Sequence, residues 1–167
     1  AETIEKQDDG SFIVTSNKGT LIHASVVAIA GGLGSFEPRK PLIDGINFYE
    51  DKGVKYFIKD PEEFRDKRVV IAGGGDSALD WSIFLADIAS EVTLIHRRNE
   101  FRGALDSVEK VQELKDLGKI RLITPAEVVG LNGAEHIESI VLNENEAERT
   151  IPTDYFIPLF GLTPKLG

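Results

Sequence analysis

The sequence predicts an α/β fold in which a parallel sheet carries helices on both faces and is followed by an antiparallel β-meander. Between residues 69 and 123, short apolar runs of strand length alternate with segments that repeat apolar residues at helical spacing. After residue 126 the pattern changes to short alternating runs separated by turn residues, which is typical of antiparallel hairpins. These two observations fix the expected class.

The first of the expected parallel strands ends in the most informative motif of the chain. Residues 69–72 form an apolar run of the kind that a strand buried on both faces requires, and three glycines follow directly. The motif fits the G-x-G-x-x-[G/A] pattern, whose positions serve a tight turn, a close approach of backbone to a pyrophosphate, and tight packing of helix on strand. We therefore predict a Rossmann-like dinucleotide site formed by Gly73, Gly74, Gly75, Asp76, Ser77 and Ala78.

The surroundings of the glycines favour this interpretation over a plain tight turn. A helix is expected to begin near Asp76 or Ser77, so that its free N–H groups face the diphosphate. Helical spacing places one apolar face on this helix, and the β-rich run 92–95 follows at the distance that a βαβ crossover needs. The apolar face consists of Ala78, Trp81, Leu85 and Ile88.

The end of the second strand indicates which dinucleotide is bound. An NAD site usually has an acid about 20 residues after the glycines for the ribose 2′-OH, whereas arginines favour the 2′-phosphate of NADP. Here the strand is followed by His96, Arg97 and Arg98, with Arg102 close behind. Guanidinium groups bind phosphate oxygens in a planar, bidentate way, so we predict NADPH over NADH, with a solvated basic turn as the alternative. The nearest acid, Glu100, is expected to orient an arginine.

Composition excludes several classes of function. The 167 residues suffice for one domain or slightly more, and a net charge of −9 argues against nucleic acid as the main partner. There is no cysteine for a disulfide, thiolate metal site or redox dithiol. His23 and His136 lack ligand spacing, so we expect no metal and ordinary strand positions for both.

No run spans a bilayer and the first residues do not resemble a signal sequence, so no membrane and a cytoplasmic location are expected. The absence of methionine suggests an excised or processed piece.

The first 68 residues are expected to hold β structure and then a hinge. Runs at 12–15 and 20–23 predict a small antiparallel meander, and residues 26–34 predict a second buried strand that ends in glycines. Pro38 and Pro41 stand where a phosphate-binding helix would have to start, so that strand is expected to exit into a linker. Within the hinge region 35–68, Asp60 and Pro61 predict the start of a short helix.

The remaining elements follow the nucleotide motif in order. A second helix ended by Gly118 precedes a third parallel strand at 120–123, and its apolar positions are Leu105, Val108, Val111 or Gln112, Leu114 and Leu117. Alternating runs at 127–131, 137–142 and 148–151 predict the meander, with a turn at 143–145. Residues 154–161 predict the last strand, and no element is expected after residue 161.

Together these segments resemble the bacterial ferredoxin/flavodoxin–NADP reductases of the thioredoxin-reductase-like type. The resemblance rests on residues 73–78, 96–102, 30–34 and 53–61, and covers nearly the whole chain. In this family the His-Arg-Arg-x-x-Phe-Arg element belongs to the 2′-phosphate site, which corresponds to His96, Arg97, Arg98 and Arg102. The resemblance implies an oxidoreductase that passes electrons from NADPH through FAD to ferredoxin or flavodoxin, in a homodimer when full-length.

Family members contain an FAD domain into which an NADPH domain is inserted. On this resemblance, residues 1–57 are a partial FAD-domain flank and hinge, residues 58–158 the NADPH-binding domain, and residues 159–167 the return to the FAD-domain flank. The FAD fingerprints are missing, so this chain is expected to bind NADPH and not FAD, and to be inactive alone. Residues 31–41 and 160–164 are expected to allow rotation between the domains. No acid/base residue is assigned.

Two alternatives stay open. The chain also resembles thioredoxin reductase, so it could be a fragment of a pyridine nucleotide-disulfide oxidoreductase. That family has Cys-x-x-Cys just ahead of the glycine motif, whereas residues 53–61 contain no sulfur. The other alternative is a non-catalytic NADPH-binding module.

Overall fold

The computed structural model describes residues 1–29 and 35–165, and the chain divides into two compact units. The first unit comprises residues 1–35 and 165–167, and the second comprises residues 36–164. None of the helices in these described ranges is long and apolar enough to cross a membrane.

The first unit contains a three-stranded antiparallel sheet in the order β1-β2-β3, formed by Thr3–Lys6, Phe12–Thr15 and Leu21–Ala24. This confirms the predicted meander and adds β1. The prediction of a buried strand at 26–34 is wrong for its described part, because Val26 and Ile29 are 81% and 83% exposed and lie outside any strand. An apolar run forms a buried strand only where other layers cover it. The rest of that prediction, at 30–34, lies outside the described residues.

A four-stranded parallel sheet forms the centre of the second unit. Its strands are β5 (Arg68–Ala72), β6 (Glu91–Ile95), β7 (Ile120–Ile123) and β11 (Tyr155–Pro158), in the order β11-β5-β6-β7. The register pairs the last residues of all four strands, namely Pro158, Ala72, Ile95 and Ile123. The predicted parallel α/β fold is therefore confirmed, and the four carboxyl ends lie side by side at one edge.

Both α-helices pack on one face of this sheet. Helix α1 (Asp76–Leu85) follows the glycines as predicted, and α2 (Leu105–Asp116) ends just before Gly118, whose φ is +73°. The buried cluster on this side joins strand residues to both helices. The helix residues that are buried are Ala78, Leu79, Ser82, Leu85, Val111 and Leu114. Leu105 and Leu117, predicted for the apolar face of α2, are instead 70% and 64% exposed because they lie at its ends.

The opposite face carries the antiparallel meander in place of a helix layer. Strands β8 (Glu127–Asn132), β9 (Ser139–Glu144) and β10 (Ala147–Pro152) form a sheet in the order β10-β9-β8. Its buried side chains pack with Val70, Ala72 and Phe156 of the central sheet. The second face is thus covered by β structure, and the expectation of helices on both faces differs from the structure in this detail. The turn between β9 and β10 lies at Asn145 and Glu146, which both have positive φ.

The segment predicted as a hinge contributes to the same core. Ile43, the 3-10 helix Ile46–Tyr49 and Val54 belong to the cluster under the meander, and Val54 is only 1% exposed. Val54 also forms a parallel bridge with Phe156, which extends the sheet beyond β11. Burial of these apolar side chains opposes movement of residues 43–54. The hinge predicted within residues 35–68 otherwise stays a prediction.

Two further elements lie near the ends of the second unit. Pro61–Phe64 forms a single 3-10 turn, and the Asp60 carboxylate accepts a 3.0 Å hydrogen bond from Glu62 N, which confirms the predicted cap. Leu162–Lys165 forms β12 and pairs with β4 (Ser35–Pro38), so the expectation of no element after residue 161 is wrong. His136 is likewise not a strand residue. It lies between β8 and β9, where its ring contacts Tyr155 edge-on.

The unit boundary lies at residues 35 and 36, whereas the sequence placed the start of the nucleotide domain at residue 58. The difference arises because residues 43–54 pack into the core under the meander. The assignment of the first unit and the final residues to the flanks of an FAD domain stays a prediction.

Replacement of Phe156 by alanine tests the importance of the central sheet. Phe156 is fully buried and lies on the face that packs against the meander, so Phe156→Ala is expected to lower the free energy of unfolding by about 3–5 kcal/mol. Phe84→Ala is the control, since Phe84 is 54% exposed, and its cost should stay below about 1 kcal/mol. Urea unfolding followed by the fluorescence of the single tryptophan, Trp81, measures both values. Equal losses in the two variants would contradict this account of the core.

Candidate functional site

The candidate site lies at the edge where the four parallel strands end. In this register the loops that leave β5, β6, β7 and β11 must start next to one another, and ligands of open α/β sheets bind outside such carboxyl ends. The loop after β5 contains the three glycines. The loop after β6 begins with His96. The residues that follow, 97–104, are called the arginine loop.

Two of the three glycines are required by close neighbours within the protein. A Cβ on Gly73 would lie 2.7 Å from both Ala78 Cβ and the carbonyl oxygen of Leu159, where the chain leaves β11. A Cβ on Gly74 would lie within 2.5 Å of three ring atoms of His96. The first glycine therefore permits close packing of helix and strand exit, and the second gives room to the first side chain of the neighbouring loop.

Gly75 has open space on the side where a Cβ would project. No heavy atom lies within 4 Å of that position, and its backbone is extended, with φ of −104° and ψ of 179°. In the described part of the chain, the N–H groups of Gly75, Asp76 and Ser77 have no hydrogen-bond acceptor. Open space, free N–H groups and the positive end of α1 therefore coincide, as an incoming diphosphate requires.

His96 is buried between the glycines and the arginine loop. Its side chain is 7% exposed, and its ring stacks on Phe101 with 5.2 Å between centroids and 22° between planes. Nε2 lies 3.2 Å from the carbonyl oxygen of Glu100, and since a carbonyl only accepts, Nε2 carries the proton and donates. His96 thus holds the two loops together, while the predicted arginines face solvent.

The surroundings of His96 lower its pKa below the ordinary value of about 6.5. Burial is the main cause, because it disfavours the charged imidazolium. The positive charges of Arg102, Arg97 and Arg98 lower the pKa further, and the hydrogen bond to Glu100 opposes the shift. His96 is therefore neutral at pH 7, which suits a structural position under the loop.

The three arginines are exposed and free of carboxylate partners. Within residues 1–29 and 35–165, no ion pair involves Arg97, Arg98 or Arg102. The expectation that Glu100 orients an arginine is therefore wrong here, because the contact of Glu100 is made by its backbone carbonyl with His96. By contrast, other arginines of this acidic chain bind nearby carboxylates, in the pairs Arg65–Glu62, Arg68–Asp154 and Arg149–Glu144.

An open cleft of about 380 Å³ adjoins the first two arginines. It is lined on one side by Arg97 and Arg98 and on the other by residues at the start of β8 and the end of β9. The lining residues beyond the arginines are Pro125, Ala126, Glu127, Asn143 and Asn145. Two adjacent guanidinium groups at a polar cleft can bind an anion such as a phosphate monoester.

Backbone contacts tie the arginine loop to the glycine loop, and they involve residues that the sequence did not single out. Arg102 N donates to Gly74 O at 2.7 Å, and Ala104 N donates to the Asp76 carboxylate at 2.6 Å. Gly103 lies so close to α1 that a Cβ there would meet Leu79 Cδ1 at 2.5 Å. A glycine placed between an arginine and a helix start was the available signal for this close approach. Its partner could not be known from the sequence.

Among the residues that the sequence predicted for the dinucleotide site, Gly74 lies against the His96 ring and accepts a hydrogen bond from Arg102 N, while Arg97 and Arg98 line the cleft beside β8. Ser77 and Asp76 lie exposed at the start of α1, and Ala78 is buried against Gly73. A group of three or more metal-ligating side chains is not found among the described residues. That the glycine loop and the arginines together bind a dinucleotide stays a prediction.

Alanine at Gly74 and at Gly75 should have different effects on stability. Gly74→Ala places a methyl group against the buried His96 ring and is expected to cost about 1–3 kcal/mol of unfolding free energy. Gly75→Ala meets no atom and keeps an allowed backbone, so its unfolding free energy should stay within about 1 kcal/mol of wild type. Urea unfolding of both variants checks this. A larger loss in Gly75→Ala than in Gly74→Ala would show that the loop is packed differently.

The lowered pKa of His96 predicts a pH dependence of stability. The unfolded chain binds a proton at His96 near pH 6.5 and the folded chain only at lower pH, so stability from neutral His96 is present above pH 6.5 and lost as pH falls. Titration of the His96 ring by NMR should give a midpoint below 6.5, and His96→Gln identifies its signal. The variant should also lose less stability than wild type between pH 7.5 and 5.5. A midpoint at or above 6.5 would contradict the buried position.

Solved structures with a similar fold include thioredoxin reductases. The enzyme from Lactococcus lactis has a TM-score of 0.80 at 24% identity, with 97% of this chain and 52% of that chain covered. The enzyme from T. acidophilum has a TM-score of 0.79 at 25% identity, with the same coverage of 97% and 52%. At such identities the likeness shows the fold.

Curated relatives are far more similar in sequence. A protein named ferredoxin–NADP reductase from Flavobacterium johnsoniae is 83% identical over all of this chain, which covers 48% of that relative. One of the same name from a Bradyrhizobium species is 45% identical, with 99% of this chain and 49% of the relative covered. The chain therefore spans about half the length of the curated relatives it matches. The family model described as pyridine nucleotide-disulphide oxidoreductase matches residues 1–167, and this chain belongs to that family.

Proposed function

We propose that the chain is the NADPH-binding part of a flavoprotein reductase that transfers electrons from NADPH through FAD to ferredoxin or flavodoxin. The observation that carries the nucleotide assignment is the set of three exposed arginines in the loop after β6, which form no ion pair with any described residue. The backbone of one of them, Arg102, is hydrogen-bonded to the glycine loop. The relatives named ferredoxin–NADP reductase support the acceptor, since one is 83% identical across this chain. Ferredoxin or flavodoxin, FAD and a homodimer belong to the full-length protein in this proposal, and a cytoplasmic location goes with them.

The residues of the site fit NADPH at two separate places. The open side of Gly75 and the free N–H groups at the start of α1 suit the diphosphate, which carries negative charge. Arg97, Arg98 and Arg102 belong to one loop and have no ion-pair partner in the described ranges, so they suit the nearly doubly charged 2′-phosphate. His96 contributes by holding Gly74 and Phe101 in place, and not by direct charge, because it is neutral and buried.

The chemistry of the reaction belongs to the cofactors, and NADPH supplies the hydride. The residues of this chain bind and orient the nucleotide. Binding at these two places would orient the dinucleotide along the strand ends, with its adenosine side near the arginines that follow β6 and its nicotinamide side toward β11.

A thioredoxin-reductase-like relay is the competing function, and the sequence of this chain argues against it. Thiol relays need two cysteines, and this chain contains none. The corresponding segment includes Phe57, which is 58% exposed, and Lys59, whose ammonium lies 5.2 Å from the centroid of that ring. Electrons from a flavin would therefore pass to the acceptor without a dithiol in this part of the protein.

The specificity for NADPH depends on the arginines, and a double variant tests it. Arg97→Ala combined with Arg98→Ala should weaken NADPH binding by roughly 100-fold, because each guanidinium contributes hydrogen bonds between charged groups. Binding of NADH should change by no more than about threefold, since NADH lacks the 2′-phosphate. Isothermal titration calorimetry of the chain with NADPH, NADH and FAD measures all three affinities, and we expect no uptake of FAD.

Two controls make this measurement specific. Arg65→Ala with Arg149→Ala removes the same charge from residues that bind Glu62 and Glu144, and should leave both affinities unchanged. Gly75→Ala should weaken NADPH and NADH alike, because it acts at the shared diphosphate. Equal affinity of the wild-type chain for NADH and NADPH would contradict the role of the arginines. Tight binding of FAD would mean that the glycine motif belongs to an FAD-binding domain and not to an NADPH-binding domain.

A further inference from the structure

The arginine loop is held at its far end by one acidic side chain of α1. The Asp76 carboxylate accepts a 2.6 Å hydrogen bond from the backbone N–H of Ala104, which lies 28 residues further along the chain. Two residues before Ala104, the N–H of Arg102 donates to Gly74 O at 2.7 Å. Arg102 is thereby fixed by one bond at its own backbone and another just beyond it.

The position of this carboxylate is electrostatically unfavourable for the proposed ligand. Asp76 is the first residue of α1, at the end that faces the diphosphate, and the described residues include no cation paired with it. An acid in the first helical turn stabilises the helix, but it also repels a bound anion. The hydrogen bond from Ala104 N gives an acid or an amide at this position a role in addition to stabilising the helix.

The backbone at Gly103 lies close to the start of α1. At Gly103 an added Cβ would lie 3.1 Å from Asp76 Oδ1 and 3.2 Å from Asp76 N, in addition to its clash with Leu79. The loop can reach the carboxylate because this residue has no side chain. On the opposite side, Phe101 stacks on His96, so the loop is held at residues 101, 102 and 104.

We propose that Asp76 is a positioning residue that sets the preference for a 2′-phosphorylated dinucleotide by holding Arg102 and the end of the arginine loop in place. The proposal rests on the proposed function, because it assumes that the arginines bind the 2′-phosphate. Asp76 does not contact that phosphate itself. It acts on the loop, so its loss should affect NADPH more than NADH.

The same helix offers a matched control. One turn after Asp76, the Asp80 carboxylate accepts a 2.9 Å hydrogen bond from Ser107 Oγ. This bond also joins α1 to the segment after β6, but its partner belongs to α2 and not to the arginine loop. Asp80→Ala therefore removes an acid and a contact of the same kind without releasing Arg102.

The experiment measures the ratio of the affinities for NADPH and NADH by calorimetry in four variants of the full chain. Asp76→Ala should lower this ratio by roughly tenfold, the size expected for one hydrogen bond to a charged group. Asp76→Asn keeps an acceptor oxygen for Ala104 N–H, so it should keep the ratio within about twofold. Gly103→Ala should displace the loop and so break the hydrogen bond between Ala104 N and Asp76, and it should therefore also lower the ratio. Asp80→Ala should leave it unchanged.

Each contrary result has a distinct meaning. A wild-type chain without preference for NADPH would overturn the proposed function itself. A wild-type preference that Asp76→Ala leaves intact would overturn only the role of Asp76. An equal fall of the affinity ratio in Asp80→Ala would also overturn that role, because it would indicate a general loosening of the fold. A fall in Asp76→Asn as large as in Asp76→Ala would overturn it too. Fluorescence of Trp81 and thermal unfolding confirm that each variant is folded. If Asp76→Ala is not folded, Gly103→Ala supplies the test, and an unchanged ratio in Gly103→Ala would overturn the role of Asp76.

Discussion

The parallel register of the central sheet is the constraint on which the site depends. Because Pro158, Ala72, Ile95 and Ile123 pair in one row, the loops that follow them begin at the same edge. A parallel strand pair also needs a crossover, and the crossovers α1 and α2 cover one face of the sheet. The other face would be exposed without the meander and the 3-10 helix Ile46–Tyr49. The helix layer and the meander thus cover the two faces of the sheet, and the candidate site lies at the edge where its strands end.

Sterics and hydrogen bonds then couple the two neighbouring loops at that edge. Gly74 has no side chain because the ring of His96 occupies the space, and His96 in turn supports Phe101. The arginine loop is thus built on the glycine loop, and the two cannot move independently without breaking these contacts. In the proposed function, this coupling would hold the sites for the diphosphate and for the 2′-phosphate at a fixed spacing, which is what recognition of one dinucleotide requires.

Charge distribution distinguishes the site within an otherwise acidic protein. Three arginines outside the site, Arg65, Arg68 and Arg149, form ion pairs with neighbouring carboxylates and are neutralised locally. The arginines of the loop after β6 lack such partners among the described residues, and their positive charge helps to keep His96 neutral. Membership of the pyridine nucleotide-disulphide oxidoreductase family agrees with a nucleotide at this place.

The sequence by itself determined the elements that depend on local chemistry. The apolar run before three glycines, the helical spacing after them, the cap at Asp60 and the glycine after α2 all act over a few residues, and each was predictable. The pattern of His96, Arg97, Arg98 and Arg102 was also visible, because residue type and spacing are enough to define it.

Tertiary structure decided which residues those elements contact. Burial of residues 43–54 under the meander, exposure of Val26 and Ile29, pairing of β12 with β4, and the bond from Ala104 to Asp76 each depend on partners distant in the chain. Such partners are chosen by packing and by long-range hydrogen bonds, which leave no periodic trace in the sequence.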